Sequence, residues 1–334
     1  MTARLLETNE NGLYCAAGGF YIDPWLPVER AVITHAHADH ARPGSSEYLC
    51  SSRGAPVLRE RLGPDSSITG LAWSEELDLQ GVRISFHPAG HILGSSQIRV
   101  EHKGEVWVVS GDYKTEPDRT CDSFELVRCN TFVTESTFGL PIYKWLPERD
   151  VFAEINAWWA SNLAKGRTSV LFAYALGKAQ RLLAGVESSL GPIAVHGAVQ
   201  RFVDVYRAAG VLLPDVMRGD DAGAAKVKGC GLVIAPPSAA NSPWLRKFGE
   251  SSSAFASGWM RVRGIRRRRA ADRGFVLSDH ADWPSLLHTI EATGAERIEV
   301  THGYVTQLAR YLNEHGKSAG ALATQYTGDE EMGE

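Results

Sequence analysis

Residues 34–40 read Thr-His-Ala-His-Ala-Asp-His, a concentration of groups able to bind metal. His35, His37, Asp39 and His40 put three imidazoles and a carboxylate within six residues. The apolar run Ala31-Val32-Ile33 ahead of them reads as a short buried strand, which places the cluster at a strand end. On a helix, His35 and His37 would point to different faces. In a turn after a strand they converge on one point, while Asp39 and His40 reach another. Neutral imidazole and carboxylate suit zinc or a similar divalent ion, and a merely polar surface loop does not account for this spacing.

One heptad cannot complete two metal sites, so further ligands are expected at the ends of later strands. His91 lies in the glycine-flanked turn Pro88-Ala89-Gly90-His91-Ile92-Leu93-Gly94-Ser95, after the alternating run Val82-Arg83-Ile84-Ser85-Phe86. Asp112 follows Val106-Trp107-Val108-Val109 in Ser110-Gly111-Asp112-Tyr113. The expectation is that His35, His37 and His91 hold one ion, Asp39 and His40 a second, with Asp112 bridging. Two such ions, about 3.5–4 Å apart, share a hydroxide that is nucleophilic at neutral pH and neutralise charge developing on a phosphoryl or carbonyl oxygen. Hydrolysis is the implied reaction class, with Zn2+ or Mn2+ as the ions.

This order of elements resembles the metallo-β-lactamase fold, through Asp23 in Phe20-Tyr21-Ile22-Asp23-Pro24, the heptad, His91 and Asp112. The resemblance implies an α/β protein, an αββα sandwich in which Asp23 orients the ligands without being one. That fold hosts small-molecule hydrolases as well as nucleases. Three further strand ends separate the two: Glu135 in Thr134-Glu135-Ser136-Thr137-Phe138-Gly139, His280 in Leu277-Ser278-Asp279-His280-Ala281-Asp282, and His302 in Val300-Thr301-His302-Gly303. They look like motifs A, B and C of the β-CASP nucleases, the nucleic-acid-processing branch of the fold. By that resemblance Glu135 pairs with His280, which acts as general acid with its pKa raised by the carboxylate. Asp39 and Asp112 join them in catalysis, and His302 completes the ligands of the second ion.

Between Glu135 and His280 lies a stretch about the size of a compact domain. Its alternation of strand and helix argues for a parallel sheet, with helices at 151–165, 178–190 and 199–209 and strands at 169–173, 192–195 and 232–235. The expected organisation is a metallo-β-lactamase domain of residues 1–140 and 272–334 split around an inserted β-CASP α/β domain of residues 141–271. The junction Ala175-Leu176-Gly177-Lys178-Ala179-Gln180 resembles the backbone-contact loop of β-CASP proteins, so Gly177, Lys178 and Gln180 are expected to hold a nucleotide phosphate. Arg261, Arg263 and Arg266, in the one strong charge run, are expected to track a phosphate backbone. His196 suits a site residue and a hydrogen-bonded histidine equally, and Gly219 to Gly229 reads as a mobile surface loop.

The Ser257-Gly258-Trp259-Met260 run, Ser278 to Trp283, and Thr301-His302-Gly303-Tyr304 narrow the resemblance to bacterial ligase-associated DNA exonucleases. That group implies action on DNA strands or ends, from the 5′ side, in repair or processing beside a DNA ligase and a helicase. His302 keeps an RNA-processing alternative in view, because DNA-specific β-CASP enzymes carry an aliphatic residue at motif C. The formal charge of −4 is mild, so nucleic-acid binding would rest on a local basic groove and the ions. Five cysteines without paired spacing suit a reducing cytoplasm. Residues 1–14 lack the apolar core of a signal peptide, no run approaches a membrane span, and residues 328–334 read as an acidic tail.

Overall fold

Short strands with one apolar face need a second layer to cover it, and the N-terminal part of the chain meets that need by stacking two sheets. The computed structural model describes residues 4–262 and 271–322, which fall into two units: 4–141 with 280–322, and 142–262 with 271–279. In the first unit, six strands from Glu7–Asn9 to Ile68–Leu71 lie in sequence order as one sheet. The second sheet runs, in spatial order, Ser318–Ala321, Arg297–Gly303, Thr131–Ser136, Glu105–Val109, Ser96–His102, Val82–Pro88 and Leu77–Leu79. Phe20, Ile22, Val32 and Leu49 from the first sheet meet Phe86, Ile98, Val100 and Trp107 from the second in one dry core. The opposite face of the second sheet, with Val108, Phe132 and Ile298, is covered by Leu286 and Ile290 of helix Trp283–Ala292 and Leu308 and Leu312 of helix Val305–Glu314. Helix Ala55–Leu62, whose Val57 and Leu58 are buried, packs against the first sheet and completes the αββα sandwich.

The register of this sandwich gathers the site. Strands Glu105–Val109, Thr131–Ser136 and Arg297–Gly303 are parallel neighbours, so their carboxyl ends all open on the same edge. Asp112 follows the first, while Glu135 and His302 stand inside the second and third near their ends, where the sequence placed both just beyond the strand. Ser96 N–H donates to the Thr34 carbonyl at 2.9 Å, tying the heptad's turn in one sheet to the other.

The second unit is built on six parallel strands in the order Met217–Arg218, Ile193–Val195, Leu232–Ala235, Thr168–Phe172, Ser251–Ala256 and Arg273–Phe275. Its core joins Ile155 and Trp159 of helix Glu148–Leu163 to Leu171, Leu182, Val195 and Ile234. Two expectations are corrected here. Arg273–Phe275 pairs with Ser251–Ala256, so the chain leaves the inserted unit between Asp279 and His280 and not at 271–272. The segment read as a mobile loop, 219–229, contains helix Asp221–Val227. Asp220 caps it by accepting from Gly223 N–H at 2.9 Å, and Ala224 and Val227 are buried. Gly and Ala on a short helix mask the apolar period that would have revealed it. Arg263, Arg266 and the acidic tail lie outside the described residues. Among the described residues no helix is long and apolar enough to cross a membrane.

Ile155 is fully buried in the second unit's core. Truncation by Ile155→Ala should cost about 2–5 kcal/mol, read as a lower urea midpoint; an unchanged midpoint would contradict this packing.

Candidate metal centre

The centre is assembled from one carboxylate outward. Asp23 follows strand Phe20–Ile22 with φ 44°, a left-handed backbone that costs energy in a residue other than glycine and persists only where its surroundings enforce it. From there Oδ1 accepts Thr34 N–H at 2.8 Å and Oδ2 accepts the Thr34 hydroxyl at 2.6 Å. Asp23 Oδ2 is also 2.7 Å from His40 Nδ1, so that nitrogen carries a proton and Nε2 is the one left to bind a metal. Gly111, at φ 55°, makes the opposing turn: a Cβ there would come 2.7 Å from Thr34 Cβ, so only glycine lets Asp112 approach the heptad so closely.

Two donor groups result. His35 Nε2 and His91 Nε2 each lie 3.1 Å from His37 Nδ1, three ring nitrogens turned on one point. Asp112 Oδ2 is 3.5 Å from His35 Nε2, 3.8 Å from His91 Nε2 and 3.6 Å from His40 Nε2, and so stands between this trio and the second group. In the second group His40 Nε2 is 3.6 Å from Asp39 Oδ2, and its ring stacks on that of His302 at 5.0 Å. One ligand atom from each of Asp39, His40 and His302 falls within 4.8 Å of the others, as do those of His35, His37, His91 and Asp112. His302 reaches its place through a second left-handed residue, φ 50°, pinned by hydrogen bonds from Ser136 Oγ to the carbonyls of Thr301 and His302.

A divalent ion fits these groups on the chemistry of the donors. His40 Nε2 is buried without a hydrogen-bond partner and faces two carboxylates, an arrangement that is costly unless something electropositive satisfies it. Burial, and then the surrounding imidazoles, pushes the His35 pKa well below the usual histidine value, leaving it in the neutral form that binds metal. Burial likewise drives His302 down to about 4, with His40 adding to the effect. Burial raises Asp112 well above the carboxylate range, whereas Asp39 is held at about 2 because the imidazoles of His40, His37 and His302 outweigh its own burial. His40 goes the other way: desolvation opposes its charge, but Asp39, Asp112 and Asp23 together raise it well above normal. Asp112 and His40 are thus the groups pushed towards holding protons where the donors converge, and a bound cation would take the place of those protons.

Beside the two groups stands a third pair. Glu135 is fully buried, accepts Tyr113 N–H at 2.8 Å and lies 2.9 Å from His280 Nδ1. Although burial opposes ionisation, His280 and further hydrogen bonds hold Glu135 below its ordinary pKa, so it faces the ring as a carboxylate. The His280 ring is 4.6 Å from that of His91, which sets it at the edge of the donor cluster.

The expected phosphate-binding side chains fare differently. Lys178 is only 3% exposed and ion-paired to Asp279 at 3.0 Å. Gln180 is buried and its Oε1 accepts Gly177 N–H at 2.7 Å, closing the helix start that was expected to bind phosphate. Arg261 is exposed and its Nε–H donates to the Ile142 carbonyl at 3.3 Å. His196 proves to be a helix cap, its Nδ1 accepting Ala198 N–H at 3.1 Å. Thr34 went unread as a functional residue, although its hydroxyl beside the first histidine was a visible signal.

No family model matches the chain. It is 33% identical over 316 residues to a probable DNA ligase of Opitutus terrae, a match covering 93% of this chain and 30% of that protein. It is 26% identical over 161 residues to endoribonuclease YSH1 of Eremothecium gossypii (48% of this chain, 20% of that one). A stretch of 196 residues is 29% identical to cleavage and polyadenylation specificity factor 73 of Drosophila melanogaster (54% and 28%). The chain therefore spans less than a third of the length of these curated relatives. A solved protein of unknown function from Enterococcus faecalis shares the fold at TM-score 0.61 and 10% identity, over 89% of this chain and 79% of that one.

Asp23→Ala should weaken zinc binding about 10–100-fold while leaving the far-UV circular dichroism unchanged; a chelator competition giving wild-type affinity would remove the orienting role. In metal-free protein, His302 is held near 4 while the unfolded chain titrates near 6.5, so the unfolded state binds more protons between those values. Stability from this residue is complete above pH 6.5 and is lost as pH falls towards 4. Relative to His302→Ala, the wild type should therefore lose up to about 1.4 kcal/mol per pH unit across that window; parallel stability curves for the two proteins would contradict it.

Proposed function

We propose that the chain is a two-metal phosphodiesterase of the β-CASP kind that trims DNA from an end, in the 5′-to-3′ direction. The observation that carries this reading is the meeting of two donor groups at Asp112 with the Glu135–His280 pair alongside. His35, His37 and His91 would hold one ion and Asp39, His40 and His302 the other, with Asp112 shared. When bound, such ions supply a nucleophile at neutral pH and offset charge on the phosphoryl oxygens.

The chain's own residues do the rest. Asp23 sets the tautomer of His40 and fixes Thr34, so both ligand turns are positioned before substrate arrives. Glu135 holds His280 Nδ1, which aims Nε2 as the atom that delivers a proton to the departing 3′ oxygen. Arg261 and the neighbouring arginines of the charge run are proposed to meet the phosphate backbone.

A DNA substrate is supported by the relative named a probable DNA ligase, whose similarity runs through nearly this whole chain. That match also supports action beside a DNA ligase, since an equivalent stretch lies within the longer ligase chain. A second reading, the same chemistry on RNA, is favoured by His302 and by the endoribonuclease relatives, which match about half of the chain. Small-molecule hydrolysis has no comparable support.

The test is end-labelled DNA and RNA of matched sequence and either polarity, incubated with metal-stripped protein restored by Zn2+ or Mn2+ alone. DNA shortened from its 5′ end is expected. Cleavage of RNA but not DNA would replace the reading by its alternative, and ester hydrolysis with both nucleic acids intact would end both. Asp112→Ala should lose at least about 10³-fold in turnover, the scale of several kcal/mol of lost charge stabilisation. His280→Ala should lose about 10²–10⁴-fold with its metal content intact. Metal lost along with activity would make His280 a ligand.

A further inference from the structure

Lys178 and Arg181 are among the least exposed cations of the second unit, and both point at one carboxylate. Lys178 Nζ is 3.0 Å from Asp279 Oδ2, and Arg181 Nη1 is 3.1 Å from Asp279 Oδ1, with side-chain exposures of 4–5% throughout. Arg181 Nη1 also donates to the Ser278 carbonyl, and its Nη2 donates to Glu148 at 2.9 Å. Asp279 is the residue immediately before His280.

We propose that Lys178 and Arg181 are positioning residues for His280, acting by pinning Asp279. The inference rests on the reading of His280 as the general acid. Three charges taken out of water are costly to keep unless each is met in good geometry. Here both oxygens of Asp279 are engaged, two cations face two carboxylates, and the preceding carbonyl is held as well. Such a network contributes little as net stability and a great deal as fixed geometry. The local sequence explains how it forms. Lys178 and Arg181 stand three residues apart in the first turn of helix Lys178–Gly185, so both lie on one face. Gln180 closes onto Gly177 N–H and sets the point from which that face begins.

The consequence for the acid follows from covalent geometry. Successive Cα atoms are about 3.8 Å apart across a trans peptide, so a shift of Asp279 is passed on directly to His280. Glu135 fixes the orientation of the imidazole at Nδ1, and the pinned Asp279 fixes the place its backbone starts from. A displacement of about 1 Å at a reacting group is enough to cost about 10²-fold in rate.

The test uses the full chain, loaded with metal, on the labelled oligonucleotide that the wild type cleaves. Asp279→Asn should lower kcat about 10²-fold, leave KM within about twofold and leave bound metal per chain unchanged. Placed on top of His280→Ala, the same change should cost nothing further, because a positioning residue has no effect once its client is gone. A loss that adds to that of His280→Ala would mark a general structural role and overturn the proposal, as would a folded Asp279→Asn with wild-type kcat. Lys178→Gln raising KM alone would overturn it in favour of direct phosphate contact. If Asp279→Asn does not fold, Arg181→Lys keeps the charge but loses the forked geometry. It should lower kcat about tenfold at constant KM, and unchanged kcat there would count equally against the proposal. A wild type that cleaves neither nucleic acid is a separate outcome: it removes the nuclease reading and this inference with it.

Discussion

The carboxylate of Asp23 is the constraint on which the rest of the centre depends. It holds the backbone and hydroxyl of Thr34 and the Nδ1 proton of His40, and so determines which nitrogen of His40 looks into the pit. Without that hydrogen bond His40 could carry its proton on Nε2 instead, which would turn an N–H towards Asp39 and Asp112 and leave no lone pair there for a metal. The left-handed backbone at Asp23 is the local cost of the arrangement, offset by the hydrogen bonds it makes possible.

A similar economy governs the charges. Imidazoles and carboxylates are buried side by side, and neither kind tolerates burial alone. Asp39 stays ionised because imidazoles surround it, and the carboxylates around His40 raise its pKa, favouring positive charge at Nε2 that a metal ion would supply in place of a proton. His35 has mostly imidazole neighbours and is therefore driven to the neutral form. Position within the cluster, more than residue type, decides the protonation state, and that is what lets one small volume offer both anionic and neutral donors.

The inserted unit uses buried charge for another end. Among the described residues, Lys178 and Arg181 meet the carboxylates of Asp279 and Glu148. A lysine after a glycine at a helix start looks, in a linear chain, like a phosphate contact, because backbone N–H groups and positive charge are what anions seek. The fold supplies its own anion in Asp279, and the lysine is used internally.

How much was legible depends on sequence distance and local periodicity. The heptad, His91 and Asp112 could be read as ligands because each follows an apolar run and lies beside glycine or another ligand. The alternation of strands and helices likewise exposed the inserted α/β unit. Helix Asp221–Val227 was hidden because Gly and Ala carry little apolar signal, and the exit at Asp279 was hidden because Arg273–Phe275 suits either sheet until its partner strand is known. Residue types and their order determined that metal-binding groups are present and that they sit at strand ends. The bridging place of Asp112 and the Glu135–His280 pair were expected from the order of motifs, but only the tertiary structure decided the distances at which they meet and that Lys178 faces Asp279. These contacts join residues far apart in the chain, and their geometry is set by parallel strand register and by which charges burial forces together.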